Sequence, residues 1–126
     1  MSELDEVTLP AQRFVDDMTA AGASARVDGP RVLYDVRAVA GPLAGQIITT
    51  GVSLSEVQSW PMVPPHWVHL PDFITFAQTN EDVTDCLPGW KRHSRDYNYT
   101  DTSVAPALSW LRHVRGLLTI ALPKAA

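Results

Sequence analysis

Hydrophobic positions recur along this chain with two different periods. Near the start, Leu9, Phe14, Met18 and Ala21 fall along one face of a helix, with Val15 beside them, while Arg13, Asp16 and Asp17 fall outside. Thr8-Leu9-Pro10 marks the entry, because proline in a first turn sacrifices no helical hydrogen bond, and Gly22 marks the exit. The spacing predicts a helix over about Pro10–Ala21, preceded by frayed residues 1–8. The period then drops to two. A strand over Ala23–Val27 leads to the turn Asp28-Gly29-Pro30, and Arg31–Val39 places Val32, Tyr34, Val36 and Ala38 on one face. After the loop Gly41–Gly45, Gln46–Leu54 sets Ile48, Thr50, Val52 and Leu54 on one face. His66–Leu70 is a fourth, short strand closed by Pro71.

Residues 71–100 show little periodicity, and a long segment of that kind in a compact domain often carries function. A last helix starts near Ser103 or Ala105, with Leu108, Leu111, Val114 and Leu118 at helical spacing. Gly116 weakens its end, Arg112, His113 and Arg115 project elsewhere, and Ala121–Ala126 is a loose tail. These elements predict an α+β fold: an N-terminal helix, a four-stranded antiparallel meander, a long loop and a C-terminal helix. One apolar sheet face needs the helices as cover. The 126 residues form a single domain with its core at about 9–118.

Charge narrows the function. A net charge of −4 disfavours nucleic acid and anionic membranes as partners. One cysteine forms no internal disulfide, which suits a reducing cytoplasm. The acidic opening MSELDEVTLP is no signal peptide, and no apolar run approaches the roughly 18 residues of a membrane span.

Candidate chemistry gathers between Trp60 and Trp90. Pro61, Pro64 and Pro65 lack amide donors and fix φ, so this segment is a stiff edge or corner. Cys86 returns on the following loop, near Lys91, Arg92, His93 and Arg95. A lone cysteine is most often a small buried hydrophobe, and the four tryptophans are packing residues. His66 and His69 read as HxxH, but on a strand they face opposite ways. A metal-dependent hydrolase using His66, His69 or His93 is therefore a minor alternative, and no metal or cofactor is expected.

Trp60-Pro61-Met62-Val63-Pro64-Pro65 is a YPxxPP-like corner, Cys86 lies 21 positions after Pro65, and Ala105-Pro106-Ala107-Leu108-Ser109 opens a helix. In that order, over about residues 9–118, the chain resembles the ubiquitin-conjugating enzyme fold. LPAQRFVDDMTAAGA and Trp90…His93-Ser94-Arg95 resemble the divergent bacterial members, encoded beside a ubiquitin-like protein, an activating enzyme and a JAB-type peptidase, several of them in antiphage defence operons of the Bil type. The family's H-P-N tripeptide is absent, with Phe76-Ala77-Gln78 in its place and Asn80 nearby, and two C-terminal helices are missing.

The resemblance implies an acyl transferase. Cys86 accepts a modifier's C-terminal glycine from the activating enzyme as a thioester and passes it to a target amine. Gln78 or Asn80 supplies the amide that stabilises the oxyanion. Lys91, Arg92 and His93 favour the thiolate, with Asp85 opposing that or desolvating an incoming lysine. His93 acts catalytically or, with Ser94 and Arg95, braces the loop. The expected partners are a ubiquitin-like protein, its activating enzyme and a target protein. The alternative is a non-catalytic member of the same fold that serves as a binding scaffold.

Overall fold

The computed structural model describes residues 7–77, 80–95 and 103–123. Helix α1 spans Leu9–Ala20, with the Thr8 hydroxyl accepting from the Ala11 N–H at 3.3 Å and Pro10 in the first turn. The helix closes as the sequence predicts. Gly22 takes a φ of 95°, which a side chain disfavours, and this lets the Ala23 N–H reach the Met18 carbonyl at 3.0 Å. Ala11, Phe14 and Met18 are buried.

Strands β1 (Ala25–Asp28), β2 (Arg31–Arg37), β3 (Ile47–Ser53) and β4 (Val68–Pro71) form the predicted antiparallel meander. The sheet does not stop there. Its order is β1-β2-β3-β4-β7-β6, with β6 at Asn80–Asp82 and β7 at Trp90–Ser94, giving six strands rather than four. Residues 71–100 are thus not one long loop in their described part. β5 (Ile74–Thr75) pairs with β8 (Leu122–Pro123), which also corrects the expected loose tail as far as residue 123. These strands are two to five residues long, too short for a period to show, and WKRHS is polar. Their partners are remote in sequence.

Register sorts the sheet into two faces. Val32↔Val52, Tyr34↔Thr50, Val36↔Ile48 and Val68↔His93 share the helix-covered face. Leu33↔Gly51↔His69↔Arg92↔Asp82 forms a row on the other. Helix α2 (Pro106–Thr119) buries Ala107, Trp110, Leu111, Val114, Leu117 and Leu118. Leu108, expected in that stripe, is 42% exposed, and Trp110 takes the core position instead. Its indole Nε1–H donates to the Tyr34 hydroxyl at 2.9 Å, tying helix to sheet. Gly116 does not end the helix, because Leu117 and Leu118 are held in the core. Each buried leucine contributes about 1.5–3 kcal/mol, more than the roughly 1 kcal/mol that a helical glycine costs.

The proline corner is pinned at both ends. A 3-10 turn at Leu54–Val57 follows β3. Trp60, next to a cis bond to Pro61, is buried edge-on to Phe14 at 4.9 Å and donates from Nε1 to Asp17 at 2.9 Å. Glu56 accepts the N–H groups of His66 and Trp67 at 3.3 Å, so β4 starts at Val68 rather than at His66. No helix among the described residues is long and apolar enough to cross a membrane.

Candidate functional site

The face of the sheet away from the helices carries the site. The β6–β7 connection folds across it through short local bonds. The Asp82 carboxylate accepts from Thr84 N–H at 2.9 Å, and Cys86 N–H reaches the Val83 carbonyl at 3.1 Å. Asp85 adopts a φ of 58° between them, and aspartate tolerates this left-handed conformation better than bulkier residues. The turn sets Cys86 half-buried over His69.

His69 is fully buried in the centre of β4. Its Nδ1 lies 3.7 Å from Cys86 Sγ and its Nε2 lies 3.3 Å from Ser53 Oγ. With the thiol donating to Nδ1, the neutral ring carries its proton on Nε2 and donates it to Ser53. Gly51, opposite His69, has no side chain for a physical reason. A Cβ there would sit 3.1 Å from Leu33 Cδ2, 3.2 Å from the Val32 carbonyl oxygen and 3.5 Å from the His69 Cβ.

Two guanidinium groups flank this row. Arg92 stacks on the Trp67 ring at 4.1 Å and binds the Asp82 carboxylate at 2.6 and 3.3 Å, with Asp85 3.9 Å away. Arg31 is buried, lies over the Trp90 ring at 4.3 Å, and touches Asp28 at 3.4 Å. Burial, then Arg31 and Arg92, bring the His69 pKa down to about 4 against the pull of Asp85 and Asp82. The ring is neutral at pH 7. Burial also pushes the Cys86 thiol up, and this outweighs the help of Arg92 and Arg31 against Asp82 and Asp85. The thiolate-favouring surround expected from Lys91, Arg92 and His93 is corrected accordingly: the resting pair is thiol and neutral imidazole.

Cys86 opens into a cleft of about 330 Å³ whose walls include Val83, Leu87, Pro88 and Trp90. A second cleft, of about 310 Å³, lies on the Ser53 and Asp85 side and includes Pro30, Leu54 and Ser55.

Asn80 and His93 are not gathered here. Asn80 is exposed at the far end of β6, opposite Ser94, two residues beyond the Asp82↔Arg92 pair that lies level with His69. Gln78 lies outside the described residues. His93 faces the other side of the sheet, one position from Arg92, and strand alternation reverses its direction. It packs on Phe76 at 4.5 Å and lies 3.6 Å from Glu81, and burial brings its pKa down to about 4. His66 faces Ser94 at 2.8 Å, apart from His69. Among the described residues, no group of three or more His, Cys, Asp or Glu is placed to hold a metal ion.

Ser53 and Arg31 are site residues that no motif marks, and His69, which the sequence offers only as half of an HxxH pair, is the ring that meets the sulfur. Their signal was present in the alternation. His69 sits on the face opposite Val68 and Leu70, and Gly51 is a strand glycine that marks close approach. Comparisons with protein-family models, curated proteins and solved structures give no match to this chain.

Proposed function

We propose that this chain is a conjugating enzyme for a ubiquitin-like protein, built on a minimal form of the ubiquitin-conjugating fold, with Cys86 as the acyl carrier. The single observation carrying this reading is the row Cys86–His69–Ser53 at the foot of an open cleft, with His69 on the strand that leaves the proline bend. The order of helix, meander, bend, cysteine and helix supports it.

Neutral His69 accepts the Cys86 proton through Nδ1 as the sulfur attacks the carbonyl carbon of the activating enzyme's thioester. The new Cys86 C–S bond forms and the old one breaks. The departing thiolate of the activating enzyme takes the proton back from His69. In the second transfer a target amine attacks the Cys86 thioester, the C–S bond breaks, and the amine proton neutralises the released sulfur. The oxyanion of each tetrahedral intermediate takes a side-chain amide donor, for which Gln78 or Asn80 is assigned in this reading. Full discharge activity in both Gln78→Ala and Asn80→Ala removes that assignment. The biological setting that follows is a bacterial antiphage operon supplying the modifier and its activating enzyme.

The test mixes the protein with such a ubiquitin-like protein, activating enzyme and ATP. A thiol-sensitive adduct that Cys86→Ala abolishes is the expected result, and no adduct refutes the carrier role. One observation favours a second reading, a non-catalytic scaffold for the same partners: burial raises the thiol pKa. Iodoacetamide separates the two. Ready labelling of Cys86 at neutral pH supports the carrier, and an inert thiol supports the scaffold.

A further inference from the structure

The cleft into which Cys86 opens has walls that the carrier chemistry leaves unused. Val83, Leu87, Pro88 and Trp90 make it apolar, and among the described residues only Asp72 and Lys91 give it charge, with Lys91 3.6 Å from Glu81. Val83 is 65% exposed and Leu87 40%, so two aliphatic side chains flank the sulfur in contact with water. The backbone of these walls is already engaged. The Val83 carbonyl accepts from Cys86 N–H at 3.1 Å, the Leu87 carbonyl from Trp90 N–H at 3.1 Å and the Gly89 carbonyl from Asp72 N–H at 2.9 Å. Pro88 has no N–H to offer. Walls of this kind favour aliphatic surface over a peptide's amides, which need partners of their own. At about 330 Å³ the cleft stands at the small end of ligand sites.

We propose that this cleft is an acyl-chain subsite: Cys86 accepts a medium-length aliphatic acyl group from a small thioester, with Val83, Leu87 and Trp90 holding the chain. The inference rests on the same nucleophile and base as the acyl-carrier reading, but it requires neither a modifier nor an activating enzyme. Cys86 passes its proton to His69 Nδ1, 3.7 Å away, as the sulfur attacks the thioester's carbonyl carbon. The Cys86 C–S bond forms, the donor's C–S bond breaks, and the departing thiolate takes the proton from His69. The products are S-acyl Cys86 and the free donor thiol, and the ring is neutral again. With the carbonyl carbon held at the sulfur, the chain beyond it lies along the walls and removes exposed Val83 and Leu87 surface from water. The donor's thiol half stays outside, so the cleft discriminates by chain length and not by carrier.

The intact protein is incubated at about neutral pH with acetyl and octanoyl thioesters of N-acetylcysteamine and of glutathione. Acylation is followed by mass spectrometry, and rates are normalised to those of free cysteine. Cys86 is the chain's single cysteine, and Cys86→Ala loses the label. Octanoyl reacts about tenfold faster than acetyl after normalisation, because a fully buried methylene is worth about fourfold and an open cleft buries only part of the chain. The preference is the same on both donor thiols. Val83→Ser and Leu87→Ser, at exposed positions outside the core, each lower it, and together they bring it below about threefold. No acylation of Cys86, equal normalised rates, a preference that changes with the donor thiol, or one that survives both substitutions overturns the proposal. If the double variant does not fold, the single variants decide, and an unchanged preference in both overturns it. An octanoyl preference with no adduct in the conjugation assay refutes the carrier reading alone. A conjugation adduct with no octanoyl preference refutes the subsite alone.

Discussion

Lowering the pH tests whether His69 is held neutral inside the sheet. The folded ring titrates at about 4 against an ordinary value of 6.5, and His93 does the same on the other face. Burial is the main cause in both. In the unfolded chain each ring binds a proton first as the pH falls below 6.5. The stabilisation is therefore complete above 6.5, is lost between 6.5 and 4, and changes no further below that. At about pH 5 the unfolded chain gains roughly 2 kcal/mol per histidine relative to the folded one. His69 and His93 together cost about 4 kcal/mol, a large share of a typical total stability of about 5–15 kcal/mol. His113, packed on Trp110 at 5.2 Å and also lowered to about 4 by burial, adds in the same direction. Glu56, raised by burial, works in the opposite sense, gaining stability as the pH falls. Urea denaturation at about pH 7.5 and 5, in the natural protein and in His69→Gln, isolates the His69 share as a difference of about 2 kcal/mol in the pH-dependent loss. Equal losses in the two proteins refute the claim that the interior holds His69 neutral, and with it the assignment of His69 as the thiol's proton acceptor.

Ser53→Ala leaves a buried imidazole N–H unmatched, so it lowers stability by about 1–3 kcal/mol in thermal melts and slows Cys86 alkylation. Gly51→Ala crowds the Val32 carbonyl oxygen, which the sheet holds fixed, and Leu33, which can give way. Overpacking of about 1–3 kcal/mol exceeds the gain of roughly 0.5–1 kcal/mol from a stiffer unfolded chain, so the urea midpoint falls. Trp110→Phe removes the donor to the Tyr34 hydroxyl and part of a fully buried ring, for a loss of about 1–3 kcal/mol by chemical denaturation. Asp82→Asn frees Arg92 from its carboxylate partner and speeds alkylation of Cys86, because a less compensated cation favours the thiolate.

The sequence by itself determined the two helices, the four-strand meander and most of the faces that meet the core, but Leu9 and Leu108, read into the apolar stripes, lie exposed. Period is a local property, and Phe14, Met18, Tyr34 and Val52 each reveal their face through neighbours a few residues away. The proline corner was legible for the same reason, since missing amides and fixed φ act at the residue itself. Tertiary structure alone decided β6, β7 and the β5–β8 pair, because strands of two to five residues take their stability from partners far along the chain. It also decided which histidine meets the sulfur. His93 is closer to Cys86 in sequence, but its strand alternation turns it away, while His69 comes from across a sheet pairing that no spacing along the chain specifies. The ionisation of that sulfur was likewise hidden: it follows from burial and from which charges fold together over one sheet face, quantities that exist only once the chain has closed on itself.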